Sequence, residues 1–345
     1  MTSRTERWLE RGWLPDWMVR AGIRRLLRAR LRQEHADDPE RSAERLGDWI
    51  AECDRSPIAL ATQAANAQHY EVPAAFYAGV LGRHRKYSSG LWTGGTHTLD
   101  DAEAAMLQLS CERAEIQDGM RVLDLGCGWG ALTLWIAERH PRCRVTGVSN
   151  SASQRADILR RAADAGLQNV QIVTADANTF APTGLFDRVV SVEMMEHARN
   201  WRALLERIAN WLVPTGKLFV HVFTHRTVGY PFAVDGNDDW MARHFFTGGQ
   251  MPADEQMLHF QDHLAVEAHW RVSGEHYART AEAWLANFDQ HRRELAPVLR
   301  AAYGDRAVAM GNLWRVFFMA CAELWGFDGG RQWLVSHYRL RRRQP

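Results

Sequence analysis

The stretch VLDLGCGWG, Val122 to Gly130, decides how the rest of the chain is read. An apolar run ends at Leu125, and Gly126, Gly128 and Gly130 then take alternate positions. Lacking a Cβ, they let the backbone turn tightly and come close to a ligand. The helix expected next opens with amide N–H groups aimed at the same spot. Outward from this loop, short β-rich runs alternate with helical stretches. Arg121–Leu125, Arg144–Val148, Val170–Val173, Arg188–Val192 and Leu218–Phe223 are expected strands. Ala131–His140, Ser153–Ala165 and Trp201–Leu212 are the helices between them. Such alternation implies an α/β fold, a mostly parallel Rossmann-like sheet with helices on both faces.

Read loosely, Gly126, Gly128 and Ala131 also satisfy the dinucleotide pattern. That pattern wants an acidic residue about twenty positions on, to hold the ribose hydroxyls. Thr146–Ser151 contains none. Instead, Asp124 stands two residues before the first glycine, where a carboxylate can meet a ligand's ammonium group. Asp176 ends the third strand, where it can accept from an adenine amino group. Helix capping is the plain alternative for both. Together with the loop they favour S-adenosylmethionine (SAM), the product being S-adenosylhomocysteine (SAH). The fold is therefore expected to be that of a class I SAM-dependent methyltransferase.

The fourth strand runs into Glu193, Met194, Met195, Glu196 and His197. If this stretch turns helical, Glu193, Glu196 and His197 share a face at i, i+3 and i+4. Two carboxylates and an imidazole can bind a cationic substrate and remove a proton, as a protonated amine of pKa ~10 requires before its nitrogen can attack. A solvated helix start, with acids favoured by the helix dipole, is the competing account. The position at the ligand edge of the sheet favours function. Neither H-E-x-x-H nor H-x-x-E-H occurs, and the histidines of the second half show no ligand spacing, so no metal is expected. Trp240, Phe245, Phe246 and Trp270 are candidates for an aromatic substrate pocket, with ordinary core packing as the default for each.

With 345 residues, 46% hydrophobic and 24% charged, the composition is that of a globular protein. Forty-two basic and 41 acidic residues leave a formal charge of +1, which argues against a nucleic-acid partner. Cys53, Cys111, Cys127, Cys143 and Cys321 are scattered and form no C-x-x-C pair, so reduced thiols in the cytoplasm are expected. No apolar run approaches the ~20 residues of a membrane span, and no signal core opens the chain. Residues 1–65 read as a helical extension and 66–345 as the methyltransferase domain, with a cap at about 224–285. Thr280–Ala301 and Leu313–Leu324 read as helices, and Trp333–Leu340 as a closing strand. In the extension, Ile23, Leu26, Leu27 and Leu31 lie at helical spacing among Arg24, Arg25, Arg28, Arg30 and Arg32. Contact with an anionic membrane surface is one account of that face. A helix packed on the body, its charge offset by the acidic helix behind it, is the favoured one. The partners expected are a small-molecule acceptor and, as an assembly, a homodimer.

At a larger scale the chain resembles the cyclopropane fatty acid synthase superfamily of SAM-dependent methyltransferases, and most of all its coclaurine N-methyltransferase branch and bacterial relatives of that branch. The resemblance runs from about Leu14 to Leu340. It is carried by KYSSGLW at Lys86–Trp92, the glycine loop, SVEMMEHARN at Ser191–Asn200, DDWMARHFFTGGQMP at Asp238–Pro252 and HYARTAEAWLANFD at His276–Asp289. It implies SAM contacts at Tyr87, Ser88, Gly126, Asn150, Gln154, Asp176 and Ala177, with Gln154 in place of the missing ribose carboxylate. In the N-methyltransferase branch, residues matching Glu193, Glu196 and His197 lie against the substrate amine. In the cyclopropane synthases, residues matching Ser89, Glu196, His221 and Tyr277 hold a bicarbonate base. The first of these is normally Cys, so Ser89 weakens the case for bicarbonate. The resemblance thus implies methyl transfer to an aromatic small-molecule amine. Lipid-directed C-methylation or cyclopropanation of an acyl alkene is the alternative, and non-enzymatic SAM binding a remote third.

Overall fold

Every residue of the first strand but Arg121 is buried, as a central strand covered on both faces requires. The computed structural model describes residues 4–59, 72–232, 245 and 248–343. Five strands run parallel: β1 (Arg121–Leu125), β2 (Arg144–Ser149), β3 (Val170–Thr174), β4 (Phe186–Val192) and β5 (Leu212–His225). Two more, β8 (Leu264–Val272) and β9 (Trp333–Arg342), complete a seven-stranded sheet of order β3-β2-β1-β4-β5-β9-β8. β9 runs antiparallel to both its neighbours. Tyr230–Pro231 (β6) and Gln250–Met251 (β7) form a small separate ribbon.

The chain steps outward from β1 to β2 and β3, then returns to the other side of β1 at β4. Such a reversal leaves a crevice at the carboxyl ends of the two strands, the usual ligand site of an open α/β sheet. The glycine loop follows β1 and the Glu193–His197 segment follows β4, so the topology brings the two sharpest sequence signals together.

Helices α1 (Arg4–Glu10), α2 (Asp16–Gln33) and α3 (Pro39–Asp54) form the extension, followed by α4 (Ala74–Val80) and α5 (Leu99–Arg113). Local signals fix several starts. Asp38 caps α3 ahead of Pro39, and Thr98 and Asp101 close a capping box on α5. Between the strands lie α6 (Ala131–Arg139), α7 (Ala152–Asp164) and α8 (Trp201–Trp211). The chain then adds α9 (Gly274–Gln290), α10 (Arg292–Tyr303) and α11 (Ala307–Trp325). The basic face of α2 is partly turned inward. Arg20 bonds Glu282 at 2.5 Å and Glu323 at 3.1 Å, and Arg24 bonds Glu323 at 2.7 Å. Its partners thus lie on α9 and α11, while the acidic helix α3 packs against α8.

Two readings need correction. Thr280–Ala301 is not one helix: α9 ends at Gln290 and α10 begins at Arg292. The helical periodicity runs straight through His291, which carries no Gly or Pro signal. Its ring Nδ1 lies 3.0 Å from the Asn287 carbonyl at the break. The stretch read as a cap contains β8, a strand of the main sheet. β8 is an edge strand whose residues Val266–Val272 alternate apolar and polar, a strand signal masked by its place in a segment rich in Gly, His and aromatic residues. Arg292–Trp325 is apolar enough in composition for a membrane span, yet most of it is buried, and α11 packs against α9, α10 and α2.

α11 anchors an aromatic core beneath the crevice. Trp314 is fully buried, with ring centroids 4.8 Å from Phe76, 5.0 Å from Phe245 and 5.8 Å from Phe318. Trp314→Ala should therefore lower the unfolding free energy by about 3–5 kcal/mol. Urea denaturation of the two proteins checks this, and a loss under about 1 kcal/mol would mean that the core closes around the gap.

Candidate active site

The crevice at the switch point is lined from one side by the glycine loop and from the other by the segment after β4. Gly126 has φ +84°, and a Cβ there would fall 2.4 Å from Met194 Cγ. Gly128 has φ +52°, and its missing Cβ faces open space within the crevice. Asp124 is buried at the end of β1 and accepts from Thr133 Oγ1 at 2.6 Å. Burial pushes its carboxyl up to about 6 against that hydrogen bond. Gln154 at the start of α7 accepts from Ser149 Oγ at 2.5 Å, leaving a buried Nε2 with no hydrogen-bond partner among the described residues. These groups suit SAM. Asp124 complements an ammonium, the bare glycine loop admits a close ligand, and the Gln154 amide can donate to a hydroxyl. Tyr87 and Ser88 line the same crevice. Asn150, Asp176 and Ala177 lie beyond the ends of β2 and β3 and are not part of this lining. There the Asp176 carboxylate accepts from the Asn178 amide at 2.7 Å, and the Ala177 carbonyl accepts from Arg207 at 2.8 Å.

Glu193, Glu196 and His197 all line the crevice, but not as one helical face. Glu193 has φ +47°, and only Met195–His197 forms a short 3-10 turn. The left-handed backbone at Glu193 swings its carboxylate toward α9 and β5. Oε2 accepts from the Tyr277 hydroxyl at 2.6 Å. Oε1 accepts from the Ser89 amide at 3.1 Å and lies 3.3 Å from His221 Nε2. Ser89, His221 and Tyr277, which the resemblance linked to bicarbonate, thus converge on a carboxylate of the chain itself. The Ser89 hydroxyl takes no part, since it donates to the Gly90 carbonyl at 3.0 Å.

Lys86 is buried beside this cluster, donating to Ser88 Oγ at 2.5 Å and the Ser89 carbonyl at 2.8 Å. Burial lowers its pKa to about 8, opposed by Glu193 and Glu103. Burial likewise raises Glu103 to about 7, although three backbone amides donate to it. Burial pushes both Glu193 and Glu196 up, and Glu196 is pushed further by the charge of Glu193. The two differ in support. Lys86, the Tyr277 hydroxyl and the Ser89 amide favour the Glu193 anion. Glu196 Oε2 is buried with no hydrogen-bond partner among the described residues. Glu193 is therefore the carboxylate of the pair, and Glu196 keeps its proton until a cation arrives. Burial holds His197 neutral, with its pKa down to about 4.

Sequence reasoning missed Lys86, and also the apolar walls Phe223, Trp284 and Phe317. Lys86 sits in the polar, basic run Arg83–Ser89, which reads as a solvated loop, while the three aromatic residues sit in ordinary core patterns, and only the tertiary fold turns them all to the crevice. Phe245 stands behind the wall, stacked on Phe317 with centroids 4.5 Å apart. Trp270 belongs elsewhere: on β8 its ring packs under Arg113 and Arg339. Trp240 and Phe246 fall outside the described residues. Among the described residues, no group of three or more His, Cys, Asp or Glu is placed to hold a metal ion.

The family model described as mycolic acid cyclopropane synthetase matches residues 60–329. The chain is 36% identical over 340 residues to an (S)-coclaurine N-methyltransferase of Thalictrum flavum subsp. glaucum, covering 97% of this chain and 94% of that one. It is 34% identical to the (S)-coclaurine N-methyltransferase of Papaver somniferum, over 97% of both chains. It is similar along its whole fold to a solved coclaurine N-methyltransferase bound to N-methylheliamine and SAH. That match has a TM-score of 0.94 at 35% identity, over 98% of each chain.

Because the Gly128 Cβ position opens into the crevice without touching protein, Gly128→Val should fold and yet fill ligand space. Its φ of +52° adds only local strain. Calorimetry should find SAM binding in the parent protein, at least tenfold weaker binding in the variant, and no NAD binding in either. Unchanged SAM affinity in the variant would remove the site from the glycine loop.

Proposed function

The chain belongs to the mycolic acid cyclopropane synthetase family and is a class I SAM-dependent methyltransferase, and we propose that it methylates the nitrogen of a small aromatic amine of benzylisoquinoline type. The observation that carries this reading is the carboxylate pair. A buried Glu193 anion stands beside Glu196, whose Oε2 has no partner among the described residues. An amine near pKa ~10 arrives protonated at neutral pH. Glu193 attracts it, the cation drives Glu196 to release its own proton to solvent, and the ionised Oε2 then accepts the N–H proton. Glu196 then holds the proton that frees the nitrogen lone pair, and the neutral His197 ring helps orient the acceptor. Phe223, Tyr277, Trp284 and Phe317 supply an apolar wall suited to flat rings.

Bound SAM supplies a methyl group on a sulfonium, already a good leaving group. What the chain adds is therefore alignment and removal of the proton. A bicarbonate-assisted reaction finds little support, because the Ser89 amide, His221 and Tyr277 already hold Glu193. A second anion there would meet like charge. The five free cysteines, four of them buried, support a reducing compartment such as the cytoplasm.

A methyl-transfer screen over secondary and tertiary aromatic amines, with unsaturated phospholipids as the contrasting arm, tests the acceptor class. On the best amine, His197→Ala should lower turnover at every pH, and Glu196→Ala should lower it at neutral pH by ~100- to 10,000-fold. Part of that loss should return as pH rises, since each unit below the amine pKa gives about tenfold more neutral amine. Turnover confined to the phospholipid arm, stimulated by bicarbonate and without alkaline recovery in Glu196→Ala, would overturn the assignment.

A further inference from the structure

The hydrogen bonds of Glu193 continue beyond its first partners. His221 on β5 and His337 on β9 are paired residue to residue across the antiparallel ladder. Their rings meet with His221 Nδ1 2.9 Å from His337 Nε2. His337 Nδ1 lies 2.8 Å from the guanidinium of Arg113, the last residue of α5. A guanidinium only donates. His337 Nδ1 is therefore the acceptor, and a neutral ring must carry its proton on Nε2. That proton points at His221 Nδ1, so the His221 proton sits on Nε2, facing Glu193 Oε1 at 3.3 Å. Both rings are fully buried, and burial together with the Lys86 and Arg113 cations keeps them uncharged.

We propose that Arg113, His337 and His221 form a one-way donor chain that fixes both imidazole tautomers and holds Glu193 as an anion, with Arg113 and His337 acting as positioning residues for methyl transfer. The proposal rests on the reading of Glu193 as the anion that meets the amine. Every bond in the chain points toward the carboxylate, so the rings polarise one another in the same sense. The chain cannot carry a proton outward, because its last member accepts none. Other groups also act on Glu193. Lys86 favours the anion from the loop before α5, and Tyr277 does so by hydrogen bond from α9. Glu196 feels its charge within the same segment, where the neutral His197 ring also faces it, and Cys321 faces it from α11. Of these partners, only His221 passes the effect to a half-buried arginine, whose guanidinium lies 4.9 Å from the Trp270 ring centroid.

Two measurements on the full chain test the proposal. Nitrogen-15 spectra of the histidine imidazoles, assigned with single His→Asn variants, should show His221 and His337 as neutral Nε2–H tautomers that do not titrate between pH ~5 and ~9. In Arg113→Met, His337 should lose its fixed tautomer. The acidic limb of the kcat/KM profile for the amine should move up by on the order of one pH unit, about a tenfold loss on that limb. The high-pH plateau and the KM for SAM should stay, and Arg113→Lys, which can still donate, should restore the limb. An Nδ1–H or charged ring in the parent protein overturns the chain, even if Arg113→Met fails to fold. Unaltered tautomers and an unmoved limb in a folded Arg113→Met do the same. If the screen yields no amine, the spectra still decide the donor chain, and the failure then lies with the acceptor assignment alone.

Discussion

A buried carboxylate without partners takes up a proton, and the site around Glu193 is organised to prevent that. Its two oxygens draw donors from three separate elements: the Ser89 amide before α5, His221 on β5 and Tyr277 on α9. Lys86 adds charge from the same loop as Ser89 and pins that loop through the Ser89 carbonyl. These elements are far apart in sequence and meet only because β4 and β5 are neighbours and α9 folds back over their carboxyl ends. Satisfying one anion therefore ties the sheet, the loop after α4 and the late helices into one arrangement. The partner carboxylate, Glu196, shares the burial but lacks such support, and this contrast separates their roles.

The central parallel strands β1, β2 and β4 were legible in the sequence because most of their residues on both faces are buried. A strand such as RVLDL reads as a continuous apolar run whatever packs on it. The glycine loop was legible for a similar reason: its residues answer to backbone geometry, not to distant neighbours. The site was only half legible. Glu193, Glu196 and His197 could be named, but the geometry that unites them could not. A left-handed φ at a glutamate has no compositional mark. β8 escaped notice although Val266–Val272 alternates apolar with polar residues, because nothing local shows that a strand beyond Thr224 returns to the main sheet. Lys86 escaped because it sits in the polar, basic run Arg83–Ser89, which reads as a solvated loop, and His337 because it sits in a run that reads as ordinary strand, where only register puts it opposite His221.

The helical extension does more than decorate the domain. Arg20, Arg24 and Arg315 link α2 to α9 and α11 through Glu282, Glu323 and Asp16. Surface ion pairs contribute little singly, and their value here is in orientation. They hold α2 against the two helices that supply Tyr277, Trp284 and Phe317 to the crevice. The aromatic rings behind that wall, Phe245 stacked on Phe317 and Trp314 packed on Phe76, leave it little freedom to shift.

An anion recruited from solvent occupies its site only as often as its concentration allows. The Glu193 carboxylate is covalently part of the chain and sits within hydrogen-bond distance of its donors in every copy of the molecule. Its occupancy does not vary with dissolved carbon dioxide, with growth phase or with the supply of any diffusible base. The cost is a buried charge, which favours acceptors able to meet it with a positive one.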